Sequence, residues 1–363
     1  MAYLEFKDVR IAGIAAGVPK TIADNLHPTK DDAVSSEYTP EDFVRTTGVK
    51  ERRVSFELTT SDLCYAAAER LIADLGWDKQ EIGAIIFVSQ TPDYILPATA
   101  CILQDRLGLD KECYATDMSL GCSGWVYGLS TALSLLTAGT IKKALLMCGE
   151  AKGRFRGKKR LLNPLFGSAG TVTAVEYYPG SPEVRFHFGT DGNGYDAIIT
   201  PDGGSRNPVT IDSFEPELVD GKETHRLQSR MKGMDVFSFG ITTAPKSVKG
   251  LAEHYGFDYS RADWFVFHQA NMKMNNMIAK KLKLDPEKVP SSMYYFGNTN
   301  GASIPLTIVA ELKGKCEDKP TSFVCCGFGV GLSWGTVAFK TNGLIISDLV
   351  EVSDEETDKI HVI

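Results

Sequence analysis

The chain has 363 residues, 43% hydrophobic and 23% charged, with a net charge of −7. That size and apolar content suit one large domain or two fused ones. The acidic balance and the lack of a long Lys/Arg block argue against nucleic acid or an anionic membrane as partner. No apolar run approaches membrane length, and the N-terminus lacks a signal-peptide h-region. Eight cysteines are scattered along the chain, several inside apolar runs (Cys101, Cys148, Cys325). This usage fits a reducing cytoplasm better than a disulfide framework. Cys325-Cys326 lacks zinc-ligand spacing and reads as strand packing, so no metal site is expected.

In chain order, Asp62 to Leu75 reads as a helix, Gly76-Trp77-Asp78 as a turn and Ile82 to Val88 as a buried strand. An apolar exit, Tyr94-Ile95-Leu96-Pro97, follows. Tyr114 to Met118 reads as a short strand, and Val126 to Leu136 is apolar at helical spacing without proline. Between them stands Leu120-Gly121-Cys122-Ser123-Gly124-Trp125. A cysteine at such a strand-to-helix corner meets the positive end of the helix dipole and unpaired backbone N–H groups. Both favour thiolate over thiol, as a nucleophile requires. Small flanking residues let the backbone turn and a substrate approach.

Further on, Ala144 to Gly149 reads as a strand, Asp202 to Lys232 as a polar insertion, and Thr242 to Tyr255 as a helix. Trp264 to Phe267 is a continuous apolar run, placing His268 at the C-terminal end of a buried strand, where open α/β sheets bind ligands. Asn271 precedes an apolar helix and suits its N-cap. Met293 to Phe296 reads as a short aromatic strand, Gly297-Asn298 as a turn and Ile304 to Leu312 as a helix. Cys122, His268 and Asn298 thus form a Cys/His/Asn set with each member at an expected strand end. Such sets assemble in space, not in sequence.

The chain also resembles itself. Gly256-Phe257-Asp258 stands 180 positions after Gly76-Trp77-Asp78 (256 − 76 = 180). Each turn lies between a helix and a buried strand, and Ala144 to Gly149 and Phe323 to Gly327 are both apolar strands ending in Cys-Gly. Two α/β halves related by a pseudo-twofold bring equivalent strand ends to one central site.

These motifs resemble the condensing enzymes of the thiolase superfamily, specifically β-ketoacyl-acyl-carrier-protein synthase III, from Ile11 to Phe339. The anchors are Thr47 to Arg52, Thr91-Pro92-Asp93-Tyr94 with Pro97, the Cys122 corner, His268-Gln269-Ala270-Asn271, Gly297-Asn298-Thr299 and Gly327 to Gly335. The resemblance implies a five-layer α/β/α/β/α fold from halves 1–180 and 181–363, the first carrying Cys122 and the second His268 and Asn298. It implies that Cys122 takes an acyl group from an acyl thioester, usually acyl-CoA. A malonyl group on acyl carrier protein then loses carbon dioxide, and its carbanion attacks the acyl-cysteine. The family's oxyanion hole corresponds to the N–H groups of Cys122 and Val330. Valine replaces the family's usual glycine there, and only the amide is needed.

Charge developing on the malonyl thioester oxygen requires two neutral donors, the imidazole of His268 and the amide of Asn298. Asn271 would orient the site. Arg160, in Lys158-Lys159-Arg160, matches an arginine that stacks on the CoA adenine, but the family's tryptophan partner for that stack falls at Asp42. Phe328 lies in the glycine-rich loop, Trp125 replaces a more usual phenylalanine beside the nucleophile, and Leu96 matches a residue reaching across a homodimer into the partner's acyl pocket. Lys273, Lys280 and Lys281 match positions that dock acyl carrier protein. Acyl-CoA and malonyl carrier protein are substrates, and no separate cofactor is implied. The two departures at Asp42 and Val330 leave open an acyltransferase serving a hydroxyl or amine on the same scaffold. A hydroxymethylglutaryl-CoA synthase-like enzyme would need a glutamate base near the nucleophile, where the nearby carboxylate is Asp93. A non-catalytic partner subunit would have lost its nucleophile.

Overall fold

Strands covered on both faces read as nearly unbroken apolar runs, and two sheets of this kind dominate the computed structural model. It describes residues 2–29, 39–151, 163–219 and 222–356. The first sheet contains β2 (Val9–Pro19), β3 (Ala84–Val88), β4 (Tyr114–Met118), β5 (Lys143–Glu150) and β6 (Ala169–Tyr177). The second contains β1 (Ala2–Phe6), β7 (Val184–Thr190), β8 (Trp264–Phe267), β9 (Thr321–Gly329) and β10 (Ser333–Thr341). Their orders are β2-β6-β5-β3-β4 and β1-β7-β10-β9-β8. The pairing is parallel across β4-β3-β5 in the first and β8-β9 in the second, and in each two antiparallel pairs then lead to β2 or β7.

Helices fill three layers around these sheets. Side chains of successive strand residues point to opposite faces, and β3 divides accordingly. Ile85 and Phe87 meet Cys64, Ala67 and Leu71 of α1 (Thr60–Leu75) and Leu103 of α2 (Thr99–Arg106). Ile86 and Val88 meet the middle layer, where Trp125, Leu129 and Leu133 of α3 (Gly124–Ala138) pack with Ile304 and Ile308 of α6 (Ser303–Leu312). The same cluster takes in Val266, Cys325 and Val337 of the second sheet. On that sheet's far face, Phe265, Phe267 and Cys326 are covered by α4 (Gly233–Tyr255) and α5 (Met272–Leu282). The result is the expected α/β/α/β/α stack.

The repeat holds at single residues. Gly76 and Gly256 end α1 and α4 in the left-handed conformation, with φ of 62° and 67°. Asp78 and Asp258 then cap matching 3₁₀ turns, accepting from Gln80 N–H and Ser260 N–H.

Three features depart from or extend the sequence reading. Met293–Phe296 is a turn of helix, not a strand. Its burial falls at i and i+3, with Met293 and Phe296 inside and Tyr294 and Tyr295 outside, so helical spacing overrides aromatic β-propensity. The 202–232 insertion folds on itself: Arg226 grips Asp202 through two bonds of 2.9 Å, and Ser213 adds a third at 2.8 Å. Arg226 also holds the Asp202 carboxyl below the usual carboxylate range. The chain beyond Asn342 forms β11 (Ile345–Ile346) and β12 (Val350–Val352), both parallel to β2, covering that edge of the first sheet. Two of its acidic residues make ion pairs, Asp348 with Arg70 and Lys313, and Glu351 with Arg53.

Candidate active site

Cys122 stands between β4 and α3, 7% exposed, two residues before the first helical residue. The tight turn is closed by Gly124 N–H donating to Gly121 carbonyl (2.8 Å). The end of β9 presses against this corner. A β-carbon on Gly329 would lie 2.7 Å from Cys122 Sγ, so only glycine allows the two backbones to meet. The next amide after Gly329 is that of Val330. Its loop is tied to the nucleophile's corner by two serines. Ser333 Oγ bonds Ser123 Oγ at 2.7 Å and reaches the Val330 carbonyl, also at 2.7 Å.

His268 follows β8 directly and is 2% exposed, its N–H continuing the ladder to Cys326 carbonyl (2.9 Å). Phe328 meets its ring edge-on with centroids 5.7 Å apart. Ser303 Oγ lies 2.8 Å from His268 Nδ1 and also accepts from Gln269 N–H at 3.3 Å. The serine hydroxyl is placed to donate to Nδ1, the direction that leaves the ring proton on Nε2. The imidazole then presents a donor to the site.

Asn298 is 6% exposed in the turn before α6. Main-chain bonds to Leu165 carbonyl (2.9 Å) and from Gly167 N–H (3.2 Å) fix its backbone. Asn300 N–H donates to its Oδ1 at 2.9 Å, so the amide cannot flip without losing that bond. Its Nδ2 faces Ala270 carbonyl at 3.5 Å, a long contact that leaves donor capacity available. The three residues form one connected assembly. Cys122 Sγ is 3.8 Å from Asn300 Oδ1, Asn300 holds Asn298, Asn298 reaches Ala270, and Ala270 N–H bonds His268 carbonyl at 3.0 Å.

Asn271 is the N-cap of α5, its Oδ1 accepting from Met274 N–H at 2.8 Å. Trp125 is fully buried in the middle layer, its indole N–H bonded to Thr173 Oγ1 at 2.9 Å. Lys273, Lys280 and Lys281 are all exposed on α5, the helix that starts just beyond His268. Leu96 is 80% exposed and Ile95 97%. Lys158, Lys159 and Arg160 lie outside the described residues. Sequence reasoning assigned no role to Ser303, Asn300 or Glu150. Glu150 is fully buried and binds Gln90 N–H (2.8 Å) and Thr91 Oγ1 (2.9 Å), setting the loop whose Gln90 side chain packs on Gly121. Other buried thiols are held protonated, with Cys326 pushed up to about 12 by desolvation and Cys64, Cys148 and Cys325 raised for the same reason. Among the described residues, no cluster of three His, Cys, Asp or Glu side chains is arranged to hold a metal.

Comparison with known proteins agrees with this geometry. The family model for 3-oxoacyl-[acyl-carrier-protein] synthase III matches residues 116–192, and the model for its C-terminal part matches 252–341. The β-ketoacyl-[acyl-carrier-protein] synthase III of Clostridioides difficile is 33% identical, aligned over 91% of this chain and 97% of that one. The Clostridium acetobutylicum protein of that name is 32% identical, over 92% and 98%. The crystal structure of 3-oxoacyl-(acyl-carrier protein) synthase from Burkholderia xenovorans superposes with a TM-score of 0.87 at 37% identity, covering 97% of this chain and 99% of that one. The chain belongs to the 3-oxoacyl-[acyl-carrier-protein] synthase III family. It is an acyl-transferring condensing enzyme with the thiolase fold. Within this synthase III, the nucleophile's corner comes from the first sheet, while the histidine and asparagine come from the second sheet and the turn before α6.

Proposed function

We propose that this synthase condenses an acyl thioester, carried by CoA, with malonyl-acyl carrier protein through an acyl-cysteine on Cys122, starting fatty-acid or related chain synthesis. The observation that carries this reading is the convergence of Cys122, His268 and Asn298 in one buried, polar-linked assembly. In the first half-reaction the Cys122 thiolate attacks the thioester carbonyl, a C–S bond forms, and CoA leaves as its thiolate. The N–H groups of Cys122 and Val330 are the proposed oxyanion donors. In the second, the malonyl C–C bond breaks to release carbon dioxide, and the electron pair passes to the thioester enolate. His268 Nε2–H and Asn298 Nδ2–H stabilise that oxygen as neutral donors. The enolate carbon then forms the new C–C bond with the acyl carbonyl, and the sulfur leaves as thiolate. Each donor is worth roughly 10²- to 10³-fold in rate.

The supporting surfaces are proposals of the same kind. Exposed Lys273, Lys280 and Lys281 beside the His268 strand end offer a local positive patch for acidic carrier protein on a chain of net charge −7. Arg160 and Phe328 are the proposed substrate-side residues, whereas Trp125, expected beside them, packs inside the middle layer with its indole N–H on Thr173, and no cofactor beyond the two thioesters is required by the chemistry. A homodimer built around the exposed Tyr94-Ile95-Leu96 segment, in the cytoplasm, completes the reading. No helix among the described residues is long and apolar enough to cross a membrane. The alternative, acyl transfer to a hydroxyl or amine on the same scaffold, needs no carbanion. Carbon dioxide release from malonyl-acyl carrier protein by the acylated enzyme separates the two. Stoichiometric release supports condensation, and acyl loss to an alcohol or amine without release refutes it.

A further inference from the structure

The nucleophile has a close polar neighbour that neither the strand-end pattern nor the roles assigned above account for. Asn300 is 3% exposed and adopts φ of 51°, a left-handed conformation that asparagine tolerates better than most side chains. That backbone does two things at once. Its N–H bonds Asn298 Oδ1 at 2.9 Å, and its side chain is turned onto Cys122, with Oδ1 3.8 Å from Sγ. The other end of the amide, Nδ2, is buried with no hydrogen-bond partner. Buried amide nitrogens are almost always paired, so an unpartnered one beside a reacting sulfur marks a donor whose acceptor forms during the reaction.

We propose that Asn300 is a catalytic residue that serves the sulfur in both of its protonation states. With Cys122 as the neutral thiol, Sγ–H donates to Oδ1. With the thiolate, the terminal amide rotates by half a turn and Nδ2–H donates to sulfur. Sulfur is a thiolate twice per cycle, just before it attacks the acyl donor and again when the enolate expels it. Asn300 therefore stabilises the attacking group of the first half-reaction and the leaving group of the second. Asn298, locked by the Asn300 main chain, acts on the malonyl oxygen instead. The inference rests on the reading of Cys122 as nucleophile.

Two variants separate the side chain from the backbone. Asn300→Gly keeps the N–H that holds Asn298 and suits the positive φ, but removes the amide. Asn300→Asp keeps the shape and replaces the Nδ2 donor with an acceptor oxygen. The readouts are the rate of Cys122 alkylation by iodoacetamide, located by peptide mass, and carbon dioxide release from malonyl-acyl carrier protein by enzyme acylated to completion beforehand. Thermal melts confirm folding. Both variants should slow Cys122 alkylation roughly 10- to 100-fold, while Asn300→Gly changes decarboxylation less than about threefold, because Asn298 stays locked. Unchanged alkylation in both variants overturns the role of Asn300 and leaves Cys122 as nucleophile intact. Equal losses in alkylation and decarboxylation for Asn300→Gly also overturn it, by showing a general disturbance. If Cys122→Ser is still acylated at the same rate as wild type, the nucleophile reading fails and this proposal fails with it. If Asn300→Asp does not fold, Asn300→Gly decides alone.

Discussion

At the residue scale, the nucleophile depends on missing atoms as much as on polar ones. Gly329 carries no β-carbon, and one placed there would come 2.6 Å from Cys122 Cβ and 2.7 Å from Sγ. Gly329→Ala must therefore displace the sulfur or the end of β9. A displacement near 1 Å at a reacting centre costs about 10²-fold, so single-turnover acylation by acyl-CoA should fall by about that factor. Acylation at the wild-type rate would show that the corner tolerates movement. Cys122, His268 and Asn298 were singled out in the sequence because each follows a stretch read as a strand, although the stretch before Asn298 is a turn of helix. Ser303 and Asn300 were not, although both lie in the quoted stretch from Phe296 to Ser303. The importance of Ser303 comes from a hydroxyl 2.8 Å from His268 Nδ1, and that of Asn300 from a backbone angle and a contact with Cys122, none of which leaves a periodic mark.

At the scale of elements, hydrophobic runs and turn glycines predicted most of the core. Both halves announce themselves through Gly76 and Gly256, and the strands β3, β4, β5, β8 and β9 fall where the apolar runs place them. Met293–Phe296 defeats that logic because four residues are too few to distinguish period 2 from i, i+3. The tail was equally opaque, since its strands are only two and three residues long and gain their place by pairing with β2. Leu344, Ile346 and Val352 are nevertheless buried there. At about 1.5–3 kcal/mol for each fully buried aliphatic side chain, truncation after Thr341 should lower unfolding free energy by on the order of 5 kcal/mol and bare the edge of β2 to intermolecular pairing. Urea titration gives the change in midpoint at constant slope. An unchanged midpoint would mean the tail is an ornament on a self-sufficient sheet.

At the scale of the whole molecule, the two halves are interlocked at their margins. The first strand of the chain, β1, completes the second sheet, and the last strands, β11 and β12, complete the first. The internal repeat predicted two similar α/β halves, but an exchange of edge strands between them has no counterpart in a self-comparison of sequence. The segment Tyr94-Ile95-Leu96 stands outside this closed architecture with its apolar side chains in solvent, 42%, 97% and 80% exposed. Contiguous exposure of that kind marks an interaction surface. Leu96→Asp should therefore break the proposed dimer into monomers in sedimentation at micromolar concentration, without loss of folded signal. A monomeric wild-type protein at that concentration would refute the dimer.

The central claim is a division of labour, with Cys122 carrying the acyl group and His268 and Asn298 serving only the malonyl half-reaction. Intact mass spectrometry of the enzyme, acylated from acyl-CoA and then chased with malonyl-acyl carrier protein, tests it most directly. The account predicts that wild type gains one acyl group and loses it on the chase, that Cys122→Ser gains none, and that His268→Ala and Asn298→Ala gain it and keep it. An acyl adduct on Cys122→Ser, or a His268→Ala enzyme that cannot be acylated yet still decarboxylates malonyl-acyl carrier protein, would contradict it.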